Sequence, residues 1–173
     1  MKINSERGIK HLWAPWRLQY IQNTNAEKEK GCIFCSIPKE PSENDQKNLL
    51  LFRGEKAFVM LNKFPYNNGH LLVIPYRHIA DFEQLNSGEK LEMMDLIEKS
   101  IRALKKAFHP QGFNVGMNLG RVAGAGIDDH IHFHIVPRWN GDTNFMPVVG
   151  QTKVISSSLE DTLRTLKKYF EEK

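Results

Sequence analysis

Apolar and polar residues alternate along residues 130–138, which read HIHFHIVPR. Successive side chains of a β-strand point to opposite faces of its sheet. The pattern therefore predicts a strand with its three histidines on one face and Ile131, Phe133 and Ile135 on the other, facing the core. One histidine on a polar strand face is unremarkable, but three in register favour a functional role over an ordinary amphipathic strand.

Four more short apolar segments predict strands. Residues 49–54 and 57–62 are separated by a charged turn at 54–56. A third strand follows the turn chemistry of residues 67–69 and ends at Pro75, and a fourth lies within residues 113–120.

Two segments have helical periodicity. Residues 87–110 form a long amphipathic pattern that Ser87 can cap and that Pro110 ends. A second helix is predicted from Ser158 to about Glu171. The order of elements predicts a single α+β domain, an antiparallel meander of about five strands with a crossing helix. The apolar stripe expected on the long helix comprises Leu91, Met94, Ile97, Ile101, Leu104 and Phe108.

The chain has 173 residues, of which 40% are hydrophobic and 25% charged, as in a globular protein with one core. We assign residues 31–173 to one domain and residues 1–30 to an N-terminal extension. Its aromatic residues, Trp13, Trp16 and Tyr20, predict that it docks on the domain or on a partner. No apolar run approaches the ~20 residues of a membrane helix, and no signal peptide is evident, so we expect a cytoplasmic protein without a membrane partner.

The formal net charge of +4 is only mildly basic. The basic residues form no long run, so no nucleic-acid partner is expected, whereas an anionic small molecule is compatible with this charge. Arg121 and Arg138 are candidates for binding such an anion, although solvated surface arginines are the commoner case.

A row of imidazoles permits two chemistries. Neutral imidazole nitrogens can bind a metal, or one histidine can act as a nucleophile oriented by its neighbours. The segment before the strand favours the second, because Gly120, Gly124 and Gly126 allow backbone N–H groups to approach an anion. Glycines also occur in plain turns, so their position directly before the histidines carries the argument.

The two cysteines, Cys32 and Cys35, form a C-x2-C pair that suits two ligands of one tetrahedral ion. A redox pair is disfavoured by the apolar Ile-Phe between them and by the lack of a βαβ context. Two buried thiols without a metal are the other alternative. Local spacing does not identify further ligands.

The segment HIHFHIV resembles the signature of the histidine-triad (HIT) superfamily of nucleotide hydrolases and transferases. Residues 57–78 resemble its nucleotide-binding strand pair, and residues 115–120 resemble the strand before the triad. The resemblance covers roughly residues 31–140. It implies a HIT-like fold, a homodimer and a nucleotide or dinucleoside polyphosphate substrate.

The resemblance implies roles for individual residues. His132 is the expected nucleophile and His134 its phosphate-side partner, with His130 completing the triad. Asn118 falls where the family contacts phosphate. The positions implied for nucleotide binding are Asn62 at the ribose, Phe58 and Leu61 around the base, His70 orienting the triad, and Gly124 and Gly126 at the phosphates. Trp139 can stack on a base, with a packing role equally plausible.

Some bacterial members of the family complete a structural zinc site around a similar cysteine pair. The matching positions here are Cys32, Cys35, His78 and His130. This assignment divides the triad, because His130 binds the metal while His132 reacts. His11 and His109 have no expected catalytic role, since His109 falls at a helix C-terminus.

One departure affects the expected reaction. Many hydrolase members carry Gly-Gln-Ser or Gly-Gln-Thr just before the triad, but this chain has AGAGIDD, ending in Asp128 and Asp129. These two aspartates are interpreted as a solvated turn. We therefore expect a nucleotidyl transferase or phosphorylase that acts on dinucleoside polyphosphates, such as diadenosine tetraphosphate, through a covalent nucleotidyl-His132. The alternatives are a hydrolase of dinucleoside polyphosphates or nucleoside phosphoramidates, and a catalytically weak nucleotide-binding module.

Overall fold

The computed structural model of the protein describes residues 31–142 and 154–171. The predicted docking of the N-terminal extension lies outside the described residues. Among the described residues, no helix combines the length and apolar character needed to cross a membrane.

In residues 31–142 and 154–171, five antiparallel strands form one sheet in the order β1-β2-β3-β5-β4. Consecutive strands β1, β2 and β3 are neighbours, and the long helix then carries the chain across the sheet, so that β4 and β5 pair beyond β3. This confirms the predicted α+β architecture. The strands are β1 Leu50–Arg53, β2 Ala57–Leu61, β3 Leu71–Pro75, β4 Gly112–Gly116 and β5 Phe133–Arg138.

Strand register assigns side chains to the two sides of the sheet. Leu71 is opposite Ile135, and both face the helices within the main core. Leu72 is opposite His134, and Gly116 lies beside His134 on β4. The side that carries His134 is called here the histidine side. The main core is therefore separated from the chemistry by one sheet.

Within the described part of the chain, three helices accompany the sheet: α1 Ile33–Ser36, α2 Ser87–Phe108 and α3 Leu159–Glu171. The N-cap of α2 is Asn86 and not the predicted Ser87. The Asn86 side chain accepts from Glu89 N–H at 2.9 Å, and the Glu89 carboxylate accepts from Asn86 N–H at 2.9 Å. This reciprocal pair satisfies two donors, which Ser87 cannot do from inside the helix. Short 3-10 turns occur at Ile37–Lys39, Ser42–Asn44, Phe82–Gln84 and Arg121–Ala123.

The buried face of α2 differs in part from the predicted stripe. Leu91 is 65% exposed and Met94 is 46% exposed. Small residues near the middle of the helix, such as Ser100 and Ala103, lie on the face toward the sheet. A prediction based on hydrophobicity alone does not rank them as core positions. Ser100 is fully buried because its hydroxyl donates to Leu96 O at 2.7 Å. The buried residues of α2 are Glu89, Met93, Leu96, Ile97, Ser100, Ala103 and Leu104.

The predicted histidine strand begins later than expected, at Phe133. Ile131 N–H donates to Ile79 O at 2.7 Å, so this part of the chain bonds to the loop after β3 and not to a neighbouring strand. The alternation of burial persists, because Ile131 and Ile135 belong to the main core and Phe133 packs against it. His130 and His132 therefore reach the histidine side from an extended segment before β5.

Candidate active site and metal centre

His130 has a fixed ring orientation. The ring is 1% exposed, and its Nε2 lies 2.8 Å from Pro75 O. A carbonyl oxygen only accepts, so Nε2 carries the proton and Nδ1 holds the lone pair. Burial lowers the pKa of His130 to about 4, which keeps this tautomer neutral at pH 7. The end of strand β3 thus turns one nitrogen of His130 into a ligand atom.

Three further donor atoms surround His130 Nδ1. Cys32 Sγ lies 3.3 Å away, Cys35 Sγ 3.6 Å away and His78 Nδ1 3.3 Å away. Cys35 Sγ is also 3.3 Å from His78 Nδ1. All four donor atoms lie within 4.8 Å of one another, so these residues could hold a metal ion. The chain thus brings together residues 98 positions apart, which no local spacing reveals.

The donor set fits zinc in number and type. Tetrahedral zinc with bonds of about 2.0–2.3 Å separates its ligand atoms by about 3.3–3.8 Å, close to the distances among these donors. The bond from His130 to Pro75 O supplies the outer hydrogen bond that usually orients a metal-binding histidine. Cys32 and Cys35 are free thiols, and burial raises the pKa of Cys32 to about 11. A bound ion has to displace that thiol proton.

The His132 ring has the opposite tautomer to that of His130. Its Nδ1 lies 2.9 Å from the backbone oxygen of His130, so Nδ1 donates and Nε2 holds the lone pair. The side chain is 6% exposed, and burial lowers the pKa of His132. A neutral imidazole with its lone pair on Nε2 is the form that can attack phosphorus.

His70 and His134 form a short hydrogen-bonded chain. His70 Nδ1 accepts from Tyr66 N–H at 3.1 Å, so the His70 proton resides on Nε2, 3.0 Å from His134 Nδ1. His134 Nδ1 is then an acceptor, and in its neutral form His134 presents Nε2–H as a donor. Asn62 Nδ2 also lies 3.3 Å from His70 Nδ1. Burial lowers the pKa of His70 to about 3, which keeps His70 neutral at pH 7.

Phe34 joins the two parts of the site. It lies between the cysteines in sequence and is 3% exposed. Its ring is 5.6 Å from the His130 ring in an edge-on contact and 5.1 Å from the His132 ring. His132 in turn contacts His134 edge-on, with ring centroids 4.8 Å apart. The sequence pattern did not predict a role for Phe34, although its position between Cys32 and Cys35 was a usable signal.

The predicted phosphate loop lies between β4 and β5. Asn118 Nδ2 donates to Gly124 O at 3.4 Å, which ties the loop across its own turn. Gly120 and Gly124 have φ of 79° and 95°, values that a side chain would disfavour. Asp128 pairs with Arg121 at 3.7 Å, which fits its interpretation as part of a turn.

Other predicted residues have neighbours of their own. Arg138 pairs with Asp142 at 2.6 Å. The Trp139 indole N–H donates to Phe108 O at 3.3 Å, a contact that favours the packing role. His109 forms the left-handed C-cap of α2, as expected from its position in the sequence.

Two residues predicted around the base lie on opposite sides of the sheet. Phe58 packs with Phe34 in a cluster on the histidine side, whereas Leu61 belongs to the main core beneath the helices. A groove of about 610 Å³ lies elsewhere, where Arg53, Lys56 and Leu91 are among the residues that line it. Since it contains no histidine, we place no chemistry there.

Comparison with known proteins identifies the family. Residues 43–141 match the model of the HIT domain, and the chain belongs to the HIT family. It is 40% identical to AP-4-A phosphorylase of Mycobacterium tuberculosis over 164 residues, covering 91% of this chain and 83% of that protein. It is also 35% identical to adenosine 5'-monophosphoramidase of Schizosaccharomyces pombe over 110 residues, covering 64% and 76% of the two chains. The resemblance expected from the histidine pattern and the expectation of an enzyme are confirmed.

A solved structure shares the fold. The zinc-bound histidine triad family protein of Mycobacterium smegmatis is 26% identical, with a TM-score of 0.64 over 82% of this chain and 94% of that one. That protein contains bound zinc, and the four-residue donor cluster of this chain could bind a metal ion.

Proposed function

We propose that the protein is a phosphorylase of dinucleoside polyphosphates such as diadenosine tetraphosphate, and that it works through a covalent nucleotidyl-His132. The observation that carries the proposal is the fixed ring of His132, whose Nδ1 is bound to His130 O at 2.9 Å. The similarity to AP-4-A phosphorylase supports the choice of substrate.

In the first step, the lone pair of His132 Nε2 attacks the α-phosphorus of the substrate. A nitrogen–phosphorus bond forms as the bridging phosphorus–oxygen bond breaks, and ATP departs with that oxygen. The Nε2–H of His134 hydrogen-bonds a phosphoryl oxygen, and the backbone N–H of Gly126 stabilises its negative charge. The Gly124 N–H donates to Arg121 O at 2.9 Å, so Gly124 shapes the loop and does not contact the phosphate itself. Asn118 holds this loop closed.

In the second step, an oxygen of inorganic phosphate attacks the same phosphorus. The nitrogen–phosphorus bond breaks, its electron pair returns to His132 Nε2, and ADP is released. The covalent intermediate divides one difficult displacement into two easier ones. Since His132 begins and ends neutral, the surroundings that keep it neutral suit both steps.

The deciding experiment incubates the protein with diadenosine tetraphosphate, with and without inorganic phosphate, and separates the products. We expect equal amounts of ADP and ATP that appear only when phosphate is present. AMP released without phosphate would instead establish a hydrolase.

A hydrolase of dinucleoside polyphosphates or nucleoside phosphoramidates is the second candidate, favoured by the similarity to adenosine 5'-monophosphoramidase. The lack of a Gln-Ser type segment before the triad weighs against it, since Asp128 and Asp129 occupy that place. A nucleotide-binding module without turnover would bind nucleotide tightly and yield no product in either assay. The complete triad disfavours this third candidate.

We further propose that the metal held by Cys32, Cys35, His78 and His130 is a structural zinc ion. Four protein ligands close the coordination sphere, and a closed site has no position for substrate or water. When bound, the ion would hold α1 against the segment before β5. A cytoplasmic location agrees with the two free thiols, since such a compartment keeps cysteines reduced.

We also propose a homodimer that pairs through β4 and α2. Strand β4 lies at an edge of the described sheet, where unprotected strands tend to pair with a second chain. Val115 on β4 is 44% exposed, and Met94 on α2 is 46% exposed. Sedimentation should give twice the 20.0 kDa mass of one chain, and a monomer mass would contradict the proposal.

A further inference from the structure

A cavity of about 240 Å³ lies on the histidine side of the sheet, beyond His134. It is smaller than the ~300–1,000 Å³ of a pocket for a drug-sized ligand, so it suits one part of a larger substrate. The function proposed above leaves a place for such a part, because the leaving half of a dinucleoside polyphosphate carries a second nucleoside. The cavity is lined by Tyr66, Asn67, Asn114, Val136 and Arg138.

The cavity continues the line of the reactive residues. His134 and Val136 lie on the same side of β5, about 7 Å apart along the strand. Asn114 on β4 is paired with Val136, as Gly116 is with His134. The Tyr66 ring lines the cavity and also stacks on the His134 ring at 5.8 Å with 23° between the planes. A group that leaves the phosphate near His134 can therefore enter the cavity by moving along β5.

The charges around the cavity favour an uncharged nucleoside over a phosphate. Arg138 donates to Asp142 through Nε at 2.6 Å and through Nη2 at 2.9 Å, and the carboxylate offsets its charge. Arg138 Nη1 donates to Asn114 Oδ1 at 2.8 Å. Tyr66 and Val136 add an aromatic ring and an apolar surface. Aromatic area with nearby amide groups suits a purine ring and its hydrogen-bonding edges.

From these observations we propose that the cavity bounded by Tyr66, Asn114 and Val136 is the subsite for the second nucleoside of the substrate. The inference rests on the proposed function, which supplies the two-nucleoside substrate. The subsite makes the protein prefer dinucleoside polyphosphates to mononucleoside polyphosphates of the same phosphate length.

The test compares binding of two non-cleavable probes by calorimetry. One is diadenosine tetraphosphate with methylene groups in place of its bridging oxygens, and the other is adenosine tetraphosphate modified in the same way. The wild-type protein should bind the first about tenfold more tightly, the size of one base stacked on an aromatic ring. Asn114→Phe fills the cavity from β4. Because β4 is also the proposed dimer strand, sedimentation checks that the variant keeps the mass of the wild-type protein. This variant should lose that preference and bind the second probe as the wild type does.

Asn140→Phe is the matched control, because Asn140 is an exposed asparagine that does not line the cavity. This control should keep the tenfold preference. Equal binding of the two probes by the wild type, or an unchanged preference in Asn114→Phe, would overturn the subsite. Because the probes are not cleaved, the result is independent of turnover. A preference that Asn114→Phe removes would uphold the subsite even if phosphorolysis is not found.

Discussion

His130 and His132 are two residues apart and both are buried, yet the structure gives them opposite tautomers. His130 donates from Nε2 to Pro75 O, and His132 donates from Nδ1 to His130 O. The first histidine therefore turns Nδ1 toward the cysteines, and the second keeps its lone pair on Nε2 for substrate. The carbonyls of Pro75 and His130 thus orient the two imidazoles differently. We call the cluster of His130 with its cysteines and His78 the metal corner, and His132 with its neighbours His70 and His134 the reactive corner.

The two corners also differ in what their neighbours demand. Around His130, two thiols and a second imidazole converge within 3.6 Å, an arrangement that a cation stabilises. Around His132 the neighbours are aromatic rings and a carbonyl, which keep the imidazole neutral and oriented. A repeated histidine motif can therefore carry two functions when the backbone fixes each ring separately.

The largest effect is expected for loss of the His132 side chain, which should abolish most catalysis without changing metal binding. His132→Ala should lower turnover of diadenosine tetraphosphate on the order of 10⁴-fold, because loss of a nucleophile removes the covalent route. Its metal content should stay at the wild-type level, since His132 is not among the four ligands. His109→Asn, a change at an exposed helix cap, serves as the control. Turnover that survives in His132→Ala would remove the nucleophile assignment.

The next largest effect is expected for loss of one metal ligand, measured on zinc content and on stability. Cys32→Ala should reduce zinc from about one ion per chain to well below that, and lower the free energy of unfolding by about 2–4 kcal/mol. Metal analysis and urea unfolding measure the two quantities. Ser36→Ala, in the same short helix, should change neither. Full zinc content in Cys32→Ala would show that the ligand set is wrong.

A pH measurement probes the reactive corner through His70. Unfolded His70 binds a proton below about pH 6.5, but the folded side chain stays neutral down to about pH 3. Between these values the unfolded chain binds more protons, so the free energy of unfolding falls as the pH falls, by about 5 kcal/mol from this group over the whole range. His70→Gln should show a shallower fall over the same range, because other titrating groups contribute equally to both proteins. Identical slopes would contradict the buried neutral state of His70.

The smallest expected effect concerns the contact between the two corners. Phe34→Leu keeps an apolar side chain but removes the ring that touches His130 and His132. We expect about 1 kcal/mol less stability and a kcat about tenfold lower, with metal content unchanged. Ile33→Ala, at the exposed neighbouring position, should leave kcat unchanged. If Phe34→Leu also kept its kcat, Phe34 would only fill space.

Much of the fold was predictable because burial follows local periodicity. The five strands, both longer helices and the core positions of Ile131 and Ile135 were evident from alternation and helical spacing. The cap of α2 was missed because Asn86 and Ser87 are both good caps, and only geometry distinguishes them. The exposure of Leu91 was missed because hydrophobicity ranks it above Ser100, which is buried by a hydrogen bond to its own helix.

The candidate site contains features that were predictable from sequence and features that depend on tertiary contacts. The residue pattern alone was enough to predict that three alternating histidines share one face, that two cysteines are spaced for one ion, and that the chain resembles nucleotide-processing enzymes. The folding of distant segments brought Cys32 to His130 and fixed the two opposite tautomers. A tautomer depends on which carbonyl lies within hydrogen-bond distance of the ring, and the packing of β3 against the segment before β5 sets that distance.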